Sequence, residues 1–255
     1  MPNNRNSAPR TVGRVVNHSP LILSAVLAIL VPPHVAAQFR EYQVLYSFQA
    51  APDGAQPLAG LTIGADGVLY GTTNGGGAFQ LGTIFVLRRT MISSMSSAWK
   101  ETVLHSFSGP DGQSPQSTLV SNGALTFYGS TTAGGSGGGG GVIYELAPPV
   151  TAGDPWTETV LHNFPDGFNN PNNVTPNGIL ISPLGTLFTT TQGQSINGPT
   201  GGLVIALAPP ATPGAGWTEF QLYSFGELQG ELPVAGLVSE GGSLFGTTFF
   251  GGGGE

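Results

Sequence analysis

The sequence contains no cysteine and few charged residues, which make up 8% of its 255 positions. The first absence excludes disulfides, thiolate metal sites and a cysteine nucleophile. Long helix-forming stretches are also missing, because 41 glycines and 21 prolines interrupt the chain and both disfavour helix interiors. We therefore expect an all-β protein held together by packing. Disorder is the competing interpretation of so much glycine, yet β-branched and aromatic residues recur periodically here, unlike in disordered tracts.

Positive charge is scarce in most of the chain. The formal net charge is -7, and only Arg40, Arg88, Arg89 and Lys100 supply positive charge beyond position 37, where all 14 acidic residues lie. A surface of this sign does not attract nucleic acid or an anionic membrane. We expect no nucleic-acid partner.

Residues 1–37 have the pattern of a secretory signal. Three arginines precede an apolar stretch and then small residues: Arg5, Arg10 and Arg14, residues 21–31, and residues 35–37. The apolar stretch is shorter than the about 20 residues that span a bilayer. We predict cleavage near Ala37, a secreted or cell-surface protein, and no membrane insertion of the mature chain. An uncleaved anchor is the alternative, which Pro32 and Pro33 disfavour.

A short strand motif recurs four times and organises the remaining chain. Its copies occupy residues 68–73, 127–132, 187–191 and 244–248. Each copy follows turn-forming residues, and most precede a glycine cluster, which is typical of a short strand between tight turns.

Further landmarks recur in the same order around this motif. They are Leu-Tyr-Ser-Phe at 45–48 and its relatives at 104–107, 161–164 and 222–225, a glycine-led apolar stretch at 82–87, 141–146 and 202–207, and Trp99, Trp156 and Trp217. Four short strands in each period of about 58 residues predict a propeller blade, a four-stranded antiparallel sheet. A parallel β-helix is the rival, but its turns are shorter and need no Trp-led strand in each period.

The order of strands within a blade can be predicted as well. In the first blade, residues 58–63 form the inner strand, followed by 68–73, 82–87 and an outer strand at 100–107. Residues 42–48 are then an orphan outer strand that could close the ring. The last blade has an inner strand at 234–238 and a second strand at 243–248, without a third strand after them.

We therefore predict a β-propeller-like array of three full blades and an incomplete fourth, the front part of a longer array. The predicted domain covers residues 38–255, with repeats at about 42–98, 99–155, 156–216 and 217–255.

These motifs resemble the GloVer (Gloeo/Verruco) tandem repeat, which occurs in secreted bacterial proteins of the choice-of-anchor type. The match covers nearly all of residues 42–255 and is best in the first copy. The third copy departs from it, because Phe188 and Thr189 stand where Tyr-Gly is expected. The resemblance implies a secreted or surface β-propeller-like protein without an assigned activity, so no catalytic residues are carried over.

Three aspartates are the candidate ligand-binding residues. Asp53, Asp111 and Asp166 each follow an outer strand, and each precedes a glycine. Asp-Gly at this place is typical of a β-turn. The functional alternative is a ring of carboxylates around a ligand. We expect no calcium or other metal, because no Asp-x-Asp-x-Asp series supplies the several oxygens that calcium needs, and no cofactor.

Other suggestive residues have structural interpretations. His105 and His162 occupy a position where two repeats carry Tyr46 and Tyr223, so a half-buried hydrogen-bonding role is favoured over metal binding. Residues 134–138 match the Gly-x-Ser-x-Gly nucleophile motif, but no helix follows them. Asn173 is a glycosylation acceptor only in a eukaryotic host.

The leading functional prediction is a secreted binding or scaffold module for an unknown extracellular ligand, a glycan or a protein. The first alternative is an extracellular carbohydrate-active hydrolase that uses carboxylates such as Asp53 and Asp111 from neighbouring blades. The second is a truncated fragment without independent function.

Overall fold

The computed structural model describes residues 43–64, 67–93, 96–136, 139–165, 175–193, 201–212, 214–226 and 229–253. The predicted signal segment at 1–37, Asp166 and Asn173 lie outside these residues. Within them, no helix has the length and apolar character needed to cross a membrane.

Regular structure in the described residues is β-sheet, which confirms the predicted all-β class. The strands, in chain order, are β1 (Gly54–Ala55), β2 (Thr62–Ile63), β3 (Leu69–Thr73), β4 (Gly75–Gly76), β5 (Thr83–Ser93), β6 (Ser96–Ser106), β7 (Gln113–Pro115), β8 (Val120–Ser121), β9 (Phe127–Ala133), β10 (Val142–Ala147), β11 (Thr157–Asn163), β12 (Thr175–Ile181), β13 (Leu187–Gln192), β14 (Leu203–Ala208), β15 (Thr218–Ser224), β16 (Val238–Glu240) and β17 (Ser243–Phe245).

The strands form three antiparallel blades, one hairpin and a short separate pair of β1 and β4. Blade 1 has the order β2-β3-β5-β6, and blade 3 has the order β12-β13-β14-β15. In blade 2, β8 and β7 both pair with β9, which is followed by β10 and β11. Blade 4 is the hairpin of β16 and β17. The predicted order of inner, second, third and outer strand is confirmed in each full blade.

Three predicted strands are shorter than expected. The inner strand of blade 1 covers Thr62–Ile63 rather than 58–63, because its preceding backbone bonds the next blade: Gly60 N–H donates to the Thr118 hydroxyl at 3.1 Å. In blade 4 the inner strand is Val238–Glu240 rather than 234–238, and pairing stops at Phe245 rather than Thr248.

The orphan outer strand predicted at 42–48 is wrong for the residues described there. Residues 43–49 have no strand structure, and the backbone N–H of Gln49 donates to the Asp53 carboxylate of the following turn instead of to a neighbouring strand. Phe48 instead packs edge-on against Phe85 of β5, with ring centroids 4.9 Å apart. The β5–β6 hairpin is also longer than predicted, with 11 residues in each strand.

The core lies between the blades, because both faces of the third strands are covered. Successive side chains of a strand point to opposite faces. In β10, Val142 and Tyr144 pack in a cluster with blade 1, whereas Ile143 packs in a cluster with blade 3. Burial on both faces explains why the third strands are mostly apolar over residues 84–87, 142–146 and 203–207, with Glu145 as the one charged residue among them.

Residue size is matched between the second and third strands of each blade. Gly71 pairs with Phe85 and Gly129 pairs with Tyr144, so an aromatic ring lies over a glycine. In blade 3, Thr189 takes the place of the glycine, and its partner is the smaller Ile205. The departure of the third repeat from Tyr-Gly-Thr-Thr is thus accompanied by a smaller residue in the neighbouring strand.

Candidate functional site

Asp53 ends the segment before blade 1 and closes a tight turn. Its Oδ2 accepts hydrogen bonds from the Tyr46 hydroxyl and from Gln49 N–H, both at 2.9 Å, and Oδ1 accepts from Gly54 N–H at 2.6 Å. Burial first, and then the hydrogen bond to Asp53, raises the pKa of Tyr46 to about 12. The carboxylate is thus engaged within its own turn.

Asp111 repeats this arrangement after blade 1. Its Oδ1 accepts from the backbone N–H and the hydroxyl of Ser108, at 2.8 and 2.9 Å, and its Oδ2 lies 2.9 Å from His105 Nε2. Burial alone would raise the pKa of Asp111, but the hydrogen bonds from Ser108 and His105 outweigh it and lower this pKa below its ordinary value. Tyr46 and His105 therefore occupy one structural position, since both reach the aspartate of the following turn.

The predictions from the sequence missed a recurring glutamate. It lies in the outer strand of the blade that follows each turn. Glu101, Glu158 and Glu219 each stand two residues after a tryptophan in β6, β11 and β15. This recurrence was visible in the sequence, but only the fold brings the glutamate of one blade to the aspartate of the preceding turn. We call each such meeting of turn and following outer strand an acidic junction.

The second acidic junction brings three titratable groups together. One ligand atom from each of His105, Asp111 and Glu158 lies within 4.8 Å of the others. In the described residues, Glu158 Oε1 is buried without a hydrogen-bond partner, and so is Glu101 Oε1 at the first junction. Burial first, and then the charge of Asp111, raises the pKa of Glu158 to about 8.

The other two acidic junctions vary the same scheme. At the first, burial and then the charge of Asp53 raise the pKa of Glu101 to about 7. At the third, His162 Nε2 lies 2.8 Å from Glu219 Oε2, while Asp166 is outside the described residues. Among the described residues, His105, Asp111 and Glu158 could supply three ligand atoms to a cation, fewer than the roughly six to eight oxygens that calcium takes. A protonated glutamate also accounts for the second junction.

A second set of polar side chains lies where the second strands end. We call this set the polar face: Gln56, Asn74, Gln116, Thr132, Asn177 and Gln192. Asn74 Nδ2 donates to Gln56 Oε1 at 3.0 Å, and Gln116 Nε2 donates to Asn74 Oδ1 at 3.2 Å. In blade 3, Gln192 Nε2 donates to Asn177 Oδ1 at 2.9 Å.

The two halves of the polar face meet between blades 2 and 3. Gln116, Thr132, Asn177 and Gln192 line one cavity of about 130 Å³. The set contains only amides and a hydroxyl, which donate and accept hydrogen bonds without carrying charge. Asn74, Thr132 and Gln192 occupy equivalent positions in three repeats, at or next to the ends of β3, β9 and β13. This recurrence was visible in the sequence, but only the packing of the blades brings these side chains to the other amides of the polar face.

The blades, their shared junctions and their repeated turns define an all-β repeat protein of propeller-like architecture. The model of the Gloeobacter/Verrucomicrobia repeat matches residues 34–255. The chain belongs to this repeat family, which confirms the resemblance of its motifs at that level. Searches of the curated proteins and of the solved structures each found no match.

Proposed function

We propose that this chain is a secreted or cell-surface binding module that holds a neutral, hydroxyl-rich ligand against the polar face. A glycan is the ligand class that this chemistry fits best. The observation that carries the proposal is the row of amides that crosses three blades. Its members bond one another from Gln56 to Gln116, and Gln116 and Gln192 line a common cavity.

The composition of the polar face supports a neutral ligand over a charged one. Amide and hydroxyl groups can donate to and accept from sugar hydroxyls, and a few such groups fix the orientation of a ligand in a cleft. Gln56 and Gln116 are exposed, so they can exchange their mutual bonds for bonds to a ligand. The signal pattern of residues 1–37 supports a location outside the cytoplasm, where glycans are abundant.

A glycan array probed with the full chain tests this proposal. We expect saturable binding to at least one neutral glycan and a loss of more than tenfold in affinity for Gln116→Ala with Gln192→Ala. Gln221→Ala, on the exposed strand β15, is the matched control and should bind like the unaltered chain. Absence of glycan binding, or equal binding by the double variant, would overturn the proposal.

The hydrolase alternative is favoured by one observation, the pair of Asp111 and Glu158. Hydrogen bonds outweigh burial and lower the pKa of Asp111, whereas burial and the charge of Asp111 raise the pKa of Glu158. Such a separation is how one carboxyl becomes a proton donor beside an ionised partner. The pair differs from the one expected from sequence, since Asp53 and Asp111 each bond within their own turns. Release of reducing sugar from neutral polysaccharides, abolished by Glu158→Gln with the fold retained, would support this alternative.

Recurrence of the acidic junction weighs against the hydrolase. Tyr46, Asp53 and Glu101 reproduce the arrangement at the first junction with a phenol where the second has an imidazole. Contacts that hold successive blades together are expected at every junction, whereas a catalytic site is needed only once. Equal polysaccharide turnover by the unaltered chain and Glu158→Gln would exclude this pair from catalysis.

A further inference from the structure

The side-chain amide of Asn177 has one favourable orientation. Its Nδ2 donates to the carbonyl oxygen of Pro233 and lies 3.3 Å from the carbonyl oxygen and 3.0 Å from the hydroxyl of Thr190. Carbonyl oxygens accept hydrogen bonds and cannot donate them, so the nitrogen of Asn177 has to face them. Because Asn177 is buried, turning its oxygen towards these acceptors would leave buried polar groups unpaired, which costs free energy.

The orientation of Asn177 determines the orientation of Gln192. Asn177 Oδ1 accepts a hydrogen bond from Gln192 Nε2 at 2.9 Å. Since an amide oxygen cannot donate, the nitrogen of Gln192 has to face Asn177. The nitrogen and the oxygen of an amide lie on opposite sides of its carbon, so Gln192 Oε1 is directed away from Asn177. Within the described part of the chain, no group donates a hydrogen bond to this oxygen.

Gln116 is oriented by the same rule from the side of blade 2. Its Nε2 lies 3.2 Å from Asn74 Oδ1 and 3.4 Å from the Thr132 hydroxyl oxygen. Thr132 donates its own hydrogen to the carbonyl oxygen of Ser114 at 3.0 Å, so its oxygen is left to accept from Gln116. Both hydrogens of the Gln116 amide are therefore used within the chain. Among the residues that the structure describes, Gln116 Oε1 accepts no hydrogen bond either.

We propose that the cavity lined by Gln116 and Gln192 recognises sugar hydroxyl groups that donate hydrogen bonds, and that the side-chain oxygens of these two glutamines select them. The inference rests on the proposed binding of a neutral glycan to the polar face and adds the direction of its hydrogen bonds. The other lining hydroxyls are already engaged, since Ser117 donates to the Ser130 carbonyl and Thr132 donates to another backbone carbonyl. A hydroxyl donates to an amide oxygen, whereas an ether oxygen only accepts.

The size of the cavity limits which part of a glycan enters it. Its volume of about 130 Å³ is below the roughly 300 Å³ of a pocket that encloses a whole small ligand. It therefore accepts the hydroxyl-bearing edge of one sugar residue. Only one hydrogen of the Gln192 amide is donated within the described chain, so a bound hydroxyl can also accept a bond there. An ammonium group cannot accept one, which favours a neutral sugar over an amino sugar.

Deoxy and deoxyfluoro sugars test the direction of these hydrogen bonds. Fluorine is close in size to a hydroxyl group and accepts weakly, but it has no hydrogen to donate. The probes are the methyl glycosides of glucose, galactose and mannose, titrated into the full chain and followed by NMR. At least one should shift the side-chain amide signals of Gln116 and Gln192 saturably. For that sugar, replacing the recognised hydroxyl by hydrogen or by fluorine should weaken binding more than fivefold and to a similar extent.

Substitutions of the two glutamines separate the acceptor oxygen from the shape of the side chain. Gln116→Met removes the acceptor and should weaken binding more than fivefold, with Gln221→Met on the exposed strand β15 as the matched control. Gln116→Glu keeps an acceptor and should bind at least as tightly, because Asn74 bonds only side-chain amides there and can turn its nitrogen towards the carboxylate. Gln192→Glu should weaken binding more than fivefold, because the buried Asn177 cannot turn and its oxygen would face the carboxylate.

Three outcomes would overturn the inference, provided that backbone NMR spectra show each variant to be folded. They are full affinity for the fluorine analogues, binding unaffected by Gln116→Met, and the absence of saturable shifts with all three glycosides. The glycan array decides the proposed function separately. If the array finds a bound glycan and one of these outcomes also holds, the binding role stands and only the direction of the hydrogen bonds is refuted. An array without any bound glycan would refute both.

Discussion

A carboxylate oxygen of Glu158, in the outer strand of blade 2, lies within 4.8 Å of one from Asp111, in the turn that follows blade 1. Asp111 is held ionised by its hydrogen bonds, whereas burial and the charge of Asp111 raise the pKa of Glu158 to about 8. At neutral pH the second acidic junction therefore contains one carboxylate and one carboxylic acid. Two blades are joined by a pair whose charge depends on pH.

Stability should decrease as the pH rises from about 5 to 9. A raised pKa in the folded state means that the folded chain binds more protons than the unfolded chain. The stabilisation that each glutamate contributes is therefore complete below the ordinary pKa of glutamate. It is lost as the pH passes about 8 for Glu158 and about 7 for Glu101. The groups facing Glu158 are Asp111 and His105, with Tyr144 also within range of its charge.

The variant Glu158→Gln should flatten this dependence, because a neutral amide replaces the protonated carboxyl. Thermal unfolding midpoints measured at intervals from pH 5 to pH 9 check the expectation. Glu240→Gln, on an exposed hairpin, is the control and should follow the unaltered chain. A midpoint that rises with pH in the unaltered chain would contradict the assignment.

Removal of the aspartate that caps a turn should destabilise the array. Asp111→Ala leaves the Ser108 N–H and the His105 ring without their partner, and we expect a loss of about 2 kcal/mol in the free energy of unfolding. Urea denaturation at pH 7 measures it. Asp154→Ala, at an exposed turn, should change stability by less than about 0.5 kcal/mol. Similar losses in both variants would contradict the capping role.

The match of size between glycine and aromatic can be tested inside a full blade. Gly129→Thr forces a side chain into the space of the Tyr144 ring and should cost about 3 kcal/mol. Combining it with Tyr144→Ile reproduces the pairing of blade 3 and should recover part of that loss. A double-mutant cycle in urea should give a favourable coupling energy of at least about 1 kcal/mol. Additive losses would show that the two positions are independent.

Charge reversal on the long hairpin of blade 1 should stabilise the chain. Arg88 and Lys100 are directly opposite each other in the β5–β6 pairing, and both are exposed. Like charges at such positions are destabilising, so Lys100→Glu should raise the free energy of unfolding by about 0.5 kcal/mol. The gain should shrink in 1 M salt and should be smaller for Lys100→Gln. A loss of stability at low salt would contradict this interpretation.

Much of the fold was predictable, because its signals are local. The strand order within a blade follows from short apolar runs, each bounded by glycine-rich turns, and the recurrence of these runs fixed the number of blades. The turn role of Asp53 and Asp111 was also visible from the Asp-Gly pairs. The lengths of the strands at the sheet edges could not be predicted, because the extent of β2 and β17 depends on the neighbouring segments that their backbones contact.

The sequence alone determined the repeat, the all-β class and the order of strands, because turn chemistry and apolar periodicity act over a few residues. Only the tertiary structure decided which residues of different repeats meet. It placed Glu158 beside Asp111, Tyr144 over Gly129, and Gln116 beside Gln192 in one cavity. These contacts depend on strand register and on the stacking of one blade on the next. A local pattern constrains neither, so the acidic junctions and the polar face emerge only when the blades pack.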